Sequence, residues 1–294
     1  MLVLAGLGTF AAAMQASAAP PSLPLCALSA QAEQQIDRLW GRAAVAVVDL
    51  RSRETWAGGD TGHGFTLHST TKAVLAFAVL AKLEQEVHPS NRWFEHRLRR
   101  MVVFGENEAA DELFGWLGGA EALAGFYRHL GAPSLAAGVH DRSWGLGRAQ
   151  VAEVARMLAQ LARSPVIPAP ARDSALELLR QTPAALHWRA YSVYALPGWT
   201  AAAKSGWFWL EDDSQRINLA ALLSDGSSRL RYALVLMYEG FERFDDVWAR
   251  FNGAIGWLAH DLSLRETRRP HGDQDCALAA QFLRQLGAHL DSYP

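Results

Sequence analysis

Residues 69–83 read STTKAVLAFAVLAKL, from Ser69 to Leu83. Ser69 and Lys72 are three positions apart, so on a helix starting at Ser69 they share a face, one turn apart. Residues 73–81, AVLAFAVLA, are apolar on every side. A helix apolar all round is a buried one, and this run is too short to span a bilayer. The segment therefore predicts a serine at the start of a buried helix with a lysine one turn in. A serine hydroxyl needs a base within hydrogen-bond reach to act as a nucleophile. A lysine in an apolar pocket loses affinity for its proton and can be that base. The helix N-terminus adds partial positive charge where an oxyanion would form. The plainer alternative makes Ser69 a helix cap and Lys72 a surface residue.

Outward from this helix, residues 43–50, AAVAVVDL, read as a buried strand, and Glu54 to Ala57 as a second strand ended by Gly58-Gly59-Asp60. Ser29 to Trp40 has helical spacing before them. After the helix, Glu108 to Leu117, Ala120 to Leu130, Ala149 to Arg163 and Asp173 to Gln181 read as helices, with a loop over Gly131 to Gly147. Three strand candidates follow: Thr200 to Leu210, Arg216 to Ser224 and Arg231 to Tyr238. Their tight turn-like connectors predict antiparallel hairpins. Helices over Phe244 to Leu262 and residues 273–290 close the chain. The fold expected is α/β (α+β). An antiparallel five-stranded sheet is built from both chain ends, flanked by helices, with an all-α subdomain inserted. The sheet-bearing part is about 29–68 and 191–294, and the all-α part about 69–190.

The chain has 294 residues, half of them hydrophobic and a fifth charged, with a formal net charge of -2. That charge and the lack of a like-charged block argue against nucleic acid as a partner. Residues 1–18, MLVLAGLGTFAAAMQASA, read as a secretory signal with Ala16-Ser17-Ala18 as the cleavage site. The location expected is periplasmic or secreted, with no stable membrane span. Cys26 and Cys276 are the two cysteines; they are either one disulfide joining the ends or two unrelated thiols. The histidines have no metal-ligand spacing, and neither metal nor cofactor is expected.

The order of elements and three motifs together resemble the class A β-lactamase and penicillin-recognising serine hydrolase family, whose signature is SxxK, SDN and KTG. The first motif is Ser69-Thr70-Thr71-Lys72, and the third is Lys204-Ser205-Gly206 on the first hairpin strand. The second is altered: MVVFGENEAADEL, Met101 to Leu113, carries Gly105-Glu106-Asn107 in its place. The resemblance covers roughly residues 30 to 262.

The resemblance implies roles residue by residue. Ser69 matches the acyl-accepting nucleophile and Lys72 its general base. Lys204 matches the strand lysine that gives the pocket positive charge. The backbone N–H groups of Ser69 and Trp207 match the oxyanion donors. Asn107 matches the asparagine that holds the substrate's acylamide. Ser205, Gly206 and Arg216 match the substrate-binding strand positions, Arg216 as a carboxylate clamp. The implied activity is an exported serine acyl hydrolase acting on β-lactam or cell-wall-type amide bonds through a Ser69 ester. Its partner is a small-molecule or peptide substrate bearing a carboxylate. The oligomeric state is left open.

Two departures bear on activity. Gly105 stands where the family has a serine that relays a proton to the leaving nitrogen. The loop His140 to Gly147, HDRSWGLG, has no glutamate to activate a deacylating water, and Asp141 is its sole carboxylate. An acyl-enzyme here would decay slowly. The alternatives are a catalytically impaired or non-catalytic binding protein of the same fold, or an SxxK esterase or acyltransferase. His68, beside the nucleophile, is read as structural, and the tryptophans as core and sheet-face residues.

Overall fold

The computed structural model describes residues 30–86, 92–140, 144–182 and 199–267. The leader, both cysteines, Asp141 and the helix expected over 273–290 lie outside the described residues.

Helix α1 (Ala30–Asp37) precedes strands β1 (Gly41–Asp49), β2 (Thr55–Gly59) and the short β3 (Phe65–Thr66). A single 3-10 turn, His68–Thr70, leads into α2 (Thr71–Gln85). Helices α3 (Arg92–Val102), α4 (Asn107–Leu117), α5 (Gly119–His129) and α6 (Pro133–Ala137) follow. Then come β4 (Arg148–Ala149), α7 (Val151–Leu161), α8 (Ala169–Gln181), β5 (Thr200–Trp209), β6 (Gln215–Ser224), β7 (Leu230–Gly240) and α9 (Phe244–Thr267).

The sheet runs β2-β1-β7-β6-β5, antiparallel throughout. Both chain ends build it, and the helices α2 to α8 fall between β3 and β5. Pleat alternation divides each strand between two cores. Ala44, Ala46 and Val48 of β1 face the helical layer with Ala202, Leu222 and Val235. Val45 and Val47 face α1 and α9 with Ala201, Ala203, Leu219 and Leu234. A sheet buried on both faces explains why the strands read as continuous apolar runs.

Helix α2 is the centre of the larger core: Ala73 to Val79 is buried without a break. Each buried Leu or Phe there contributes about 1.5–3 kcal/mol of transfer free energy. Among the described residues no helix is long and apolar enough to cross a membrane.

Three local expectations are corrected. The helix begins at Thr71 rather than Ser69, because residues 68–70 close the tighter turn and Thr70 N–H donates to Leu67 O at 3.2 Å. The stretch Gly131 to Gly147 is not all loop, since Pro133 starts α6 at its first position. Ala149 belongs to a strand rather than a helix, because it pairs with Phe65 in a second, two-stranded sheet. Only at Ala149 did tertiary pairing override local propensity.

Candidate active site

Three structural levels meet at Ser69. Leu67 N–H donates to Gly147 O at 3.0 Å, and His68 N–H to Gly145 O at 2.8 Å. Asn218 of β6 donates from Nδ2 to Thr66 O at 2.6 Å and to Leu67 O at 3.1 Å. The turn bearing the serine is thus tied to the sheet on one side and to the 144–147 loop on the other. Strand β5 is the sheet's outer strand, and it presses against this turn. A Cβ added at Gly206 would lie 2.9 Å from Ser69 N and 3.0 Å from Thr70 N. Gly206 is the residue that lets the strand come so close.

Lys72 and Lys204 are 0 % and 2 % exposed. Lys72 Nζ donates to Asn107 Oδ1 at 2.7 Å and to the Gly105 carbonyl. Lys204 Nζ donates to Ser205 O at 3.0 Å. Burial pushes Lys72 down to about 8, although Asp111 and Glu106 pull it back towards the charged form. Burial, then repulsion from Lys72, takes Lys204 to about 7. Two buried amines in electrostatic reach of each other favour a state in which one is neutral.

Gly105 has φ 75°, in the left-handed region. That conformation turns its carbonyl to Lys72, and glycine adopts it at little cost. Glu106 is ion-paired with Arg100, and Asn107 begins α4. The altered triplet therefore keeps the amide on the lysine and loses the hydroxyl. Ser69 is half-buried, and among the described residues no hydrogen bond joins it to Lys72. Thr70, the N-cap of α2, makes no side-chain cap bond.

The remaining sequence candidates separate. Ser205 is 1 % exposed, and pleat alternation assigns it to the face of Ala203, opposite Lys204. The Trp207 side chain turns to the same face and meets Phe244 edge-on, with centroids 6.1 Å apart. Trp207 and Trp209, 37 % and 50 % exposed, are rim residues rather than core. Arg216 Nε lies 3.6 Å from Glu239 Oε1, so an internal carboxylate already holds the proposed clamp. Glu239 also accepts from Thr66 N–H at 3.0 Å, lies 3.1 Å from His63 Nε2 and pairs with Arg148 at 3.1 Å.

Sequence reasoning missed Phe208, Trp144, Asp111 and Asn218. Phe208 shares the face of Lys204 and Gly206 and stacks on His68. Trp144 covers Lys72, 5.2 Å from Nζ to the ring centroid, and its Nε1 donates to Asp111 Oδ1 at 2.7 Å. Asp111 follows Asn107 by four positions on α4, a spacing that could have drawn attention to it. Asn218 was visible as a polar residue inside the apolar run INLAALL, where a buried amide needs a partner. Among the described residues no group of three or more His, Cys, Asp or Glu is placed to hold a metal ion.

Residues 92–262 match the sequence model described as the beta-lactamase enzyme family; that stretch contains Gly105-Glu106-Asn107 and Lys204-Ser205-Gly206 but starts after Lys72. Among solved structures, the TLA-3 extended-spectrum beta-lactamase superposes with a TM-score of 0.66 at 16% identity, covering 79% of this chain and 96% of that one. A beta-lactamase from Desulfarculus baarsii gives 0.63 at 20% identity, with 79% and 96% covered. The class A beta-lactamase of the last common ancestor of Gram-negative bacteria gives 0.63 at 18%, with 81% and 99% covered. No curated protein matches the chain by sequence.

Proposed function

The chain belongs to the beta-lactamase enzyme family and has the class A fold, and from that premise we propose that it is a serine acyl hydrolase whose reaction passes through an ester on Ser69. The observation that carries this is Lys72: a fully buried amine one turn from Ser69, with its pKa brought down to about 8. In the neutral form, its two N–H bonds serve Gly105 O and Asn107 Oδ1. The lone pair is left to take the Ser69 Oγ proton.

Oγ then attacks the carbonyl carbon of a β-lactam or cell-wall-type amide. The developing oxyanion is met by N–H groups of Ser69 and Trp207. The C–N bond breaks, and the proton passes from Lys72 to the nitrogen. With no hydroxyl at Gly105, Lys72 or Lys204 must deliver it. Lys204, when protonated, attracts the substrate's carboxylate. An acidic small molecule or peptide suits this pocket, and a periplasmic or secreted location suits residues 1–18.

The test is a fluorescent penicillin. Covalent label on Ser69 in the wild type and none in Ser69→Ala is expected. No label under conditions that label a control enzyme would overturn the proposal. The missing hydroxyl at Gly105 favours one second possibility, a non-catalytic protein that binds carboxylate ligands in the same pocket. Ligand-dependent thermal stabilisation that survives Ser69→Ala, without acylation of the wild type, would identify it.

A further inference from the structure

The surroundings of Lys72 bear on what happens after the ester forms. Its Nζ has the Gly105 carbonyl and Asn107 Oδ1 as hydrogen-bond acceptors, and the indole face of Trp144 lies 5.2 Å away. Trp144 is held from both sides. Nε1 donates to Asp111 Oδ1 at 2.7 Å, and the next residue, Gly145, accepts the His68 N–H at 2.8 Å. Asn107 and Asp111 sit one turn apart on α4, so one helix face presents both the lysine's acceptor and the indole's anchor. Among the described residues no carboxylate is ion-paired with Lys72.

Releasing the acyl group requires a water beside the ester carbonyl and a base to take its proton. The water oxygen bonds to the carbonyl carbon, the C–Oγ bond breaks, and the proton ends on Ser69 Oγ through that base. An indole face accepts hydrogen bonds weakly and cannot act as the base. The carboxylate linked to this group, Asp111, already accepts the indole N–H.

We propose that Trp144, pinned by Asp111, is a shield that keeps hydrolytic water from Lys72 and makes this chain a single-turnover acyl acceptor, holding one acyl group per molecule. This rests on the Ser69 ester proposed above. Trp144 is a positioning residue in this scheme; it touches the base, not the substrate.

The experiment uses the full chain. Label is loaded from fluorescent penicillin, excess unlabelled penicillin is added, and loss of label is followed. Trp144→Ala and Asp111→Ala are expected to lose label roughly 10²-fold faster than wild type, the lower end of what a gained acid–base path supplies. Trp144→Phe, which keeps a ring face, and Asp111→Asn, which keeps the acceptor Oδ1, are expected to stay near the wild-type rate. Equal loss in wild type and Trp144→Ala, or rapid loss in wild type, overturns the proposal.

A second readout needs no acylation. Modification of Lys72 by acetic anhydride, read by peptide mass, is expected to rise several-fold in Trp144→Ala, with unchanged circular dichroism. Unchanged modification overturns the shield. Wild type that takes no label at all, with Lys72 still shielded by Trp144, overturns the Ser69 ester and with it the single-turnover role, while the shield itself stands.

Discussion

His68 and Phe208 stack face to face, with ring centroids 5.2 Å apart and planes within 5°. The first residue precedes the nucleophile and the second follows Trp207, so the stack joins the two chain segments that carry the candidate oxyanion donors. His68 has φ 48°, a conformation that costs a residue with a Cβ roughly 1–2 kcal/mol. Packing must hold it there. Burial takes the imidazole down to about 4, with Arg216 opposing its charge as well, so the ring stacks in its neutral form at pH 7.

Removing the stack is therefore expected to loosen β5 from the serine turn without unfolding the core. His68→Gly relieves the left-handed strain but loses the ring; His68→Phe keeps the ring. The expected result is acylation about 10-fold slower for His68→Gly and Phe208→Ala, with Phe208→Tyr near wild type, from a contact worth about 0.5–1.5 kcal/mol. Stopped-flow labelling with fluorescent penicillin measures it. Equal rates in all four variants would remove the stack from any part in catalysis.

Acylation should rise with pH up to about 7. The base must be neutral, and Lys72 titrates at about 8. Below about 7 the rate is expected to fall close to tenfold per pH unit; Lys204 titrates at about 7 and there begins to lose the charge that attracts the substrate, so the rate should level off between about 7 and 8 and decline above. A labelling-rate profile from pH 6 to 10 checks this. A rate independent of pH across the lower half of that range would mean that Lys72 is not the base.

Stability should also rise with pH, because three buried bases hold their protons more weakly when folded. His68 titrates at about 4 when folded against 6.5 ordinarily, Lys204 at about 7 and Lys72 at about 8 against 10.5. Between each pair of values the unfolded chain binds more protons, so each contribution is complete above the unfolded value and is lost as pH falls to the folded one. Thermal melts at pH 7, 8 and 9 should show a rising midpoint. Lys204→Met should flatten that rise and stabilise the fold at pH 7 by roughly 1–3 kcal/mol, since it removes an amine whose burial is costly. A midpoint lowered by Lys204→Met would contradict the assigned burial cost.

The sheet and the long helices were legible because their patterns are long and consistent: residues 73–81 are apolar all round, and the β1 and β7 segments carry continuous apolar runs. Short pieces were not. The turn at His68–Thr70 and the pairing of Phe65 with Ala149 depend on contacts distant in sequence. The Ser69–Lys72 spacing follows from local backbone geometry, whereas Asn107 and Lys204 were singled out by the family resemblance alone. Glu239 as the holder of Arg216, and Trp144 as the cover of Lys72, could not. Each is a partner chosen by tertiary packing, and no local spacing encodes it.

Gly105 offers the last test, because two effects of one substitution can be separated. Its φ of 75° favours glycine, so Gly105→Ser should cost about 1 kcal/mol of stability and lower the melting midpoint by about 2–4 °C. The same change puts a hydroxyl next to the carbonyl that accepts the Lys72 hydrogen bond. If the leaving nitrogen lacks a good proton donor in the wild type, acylation by penicillin should become roughly 10²-fold faster despite the lost stability. Gly105→Ala carries the same strain without the hydroxyl and should lower the midpoint alone. A serine variant no faster than the alanine variant would mean that a lysine already protonates the nitrogen efficiently, and that the glycine costs this site nothing in rate.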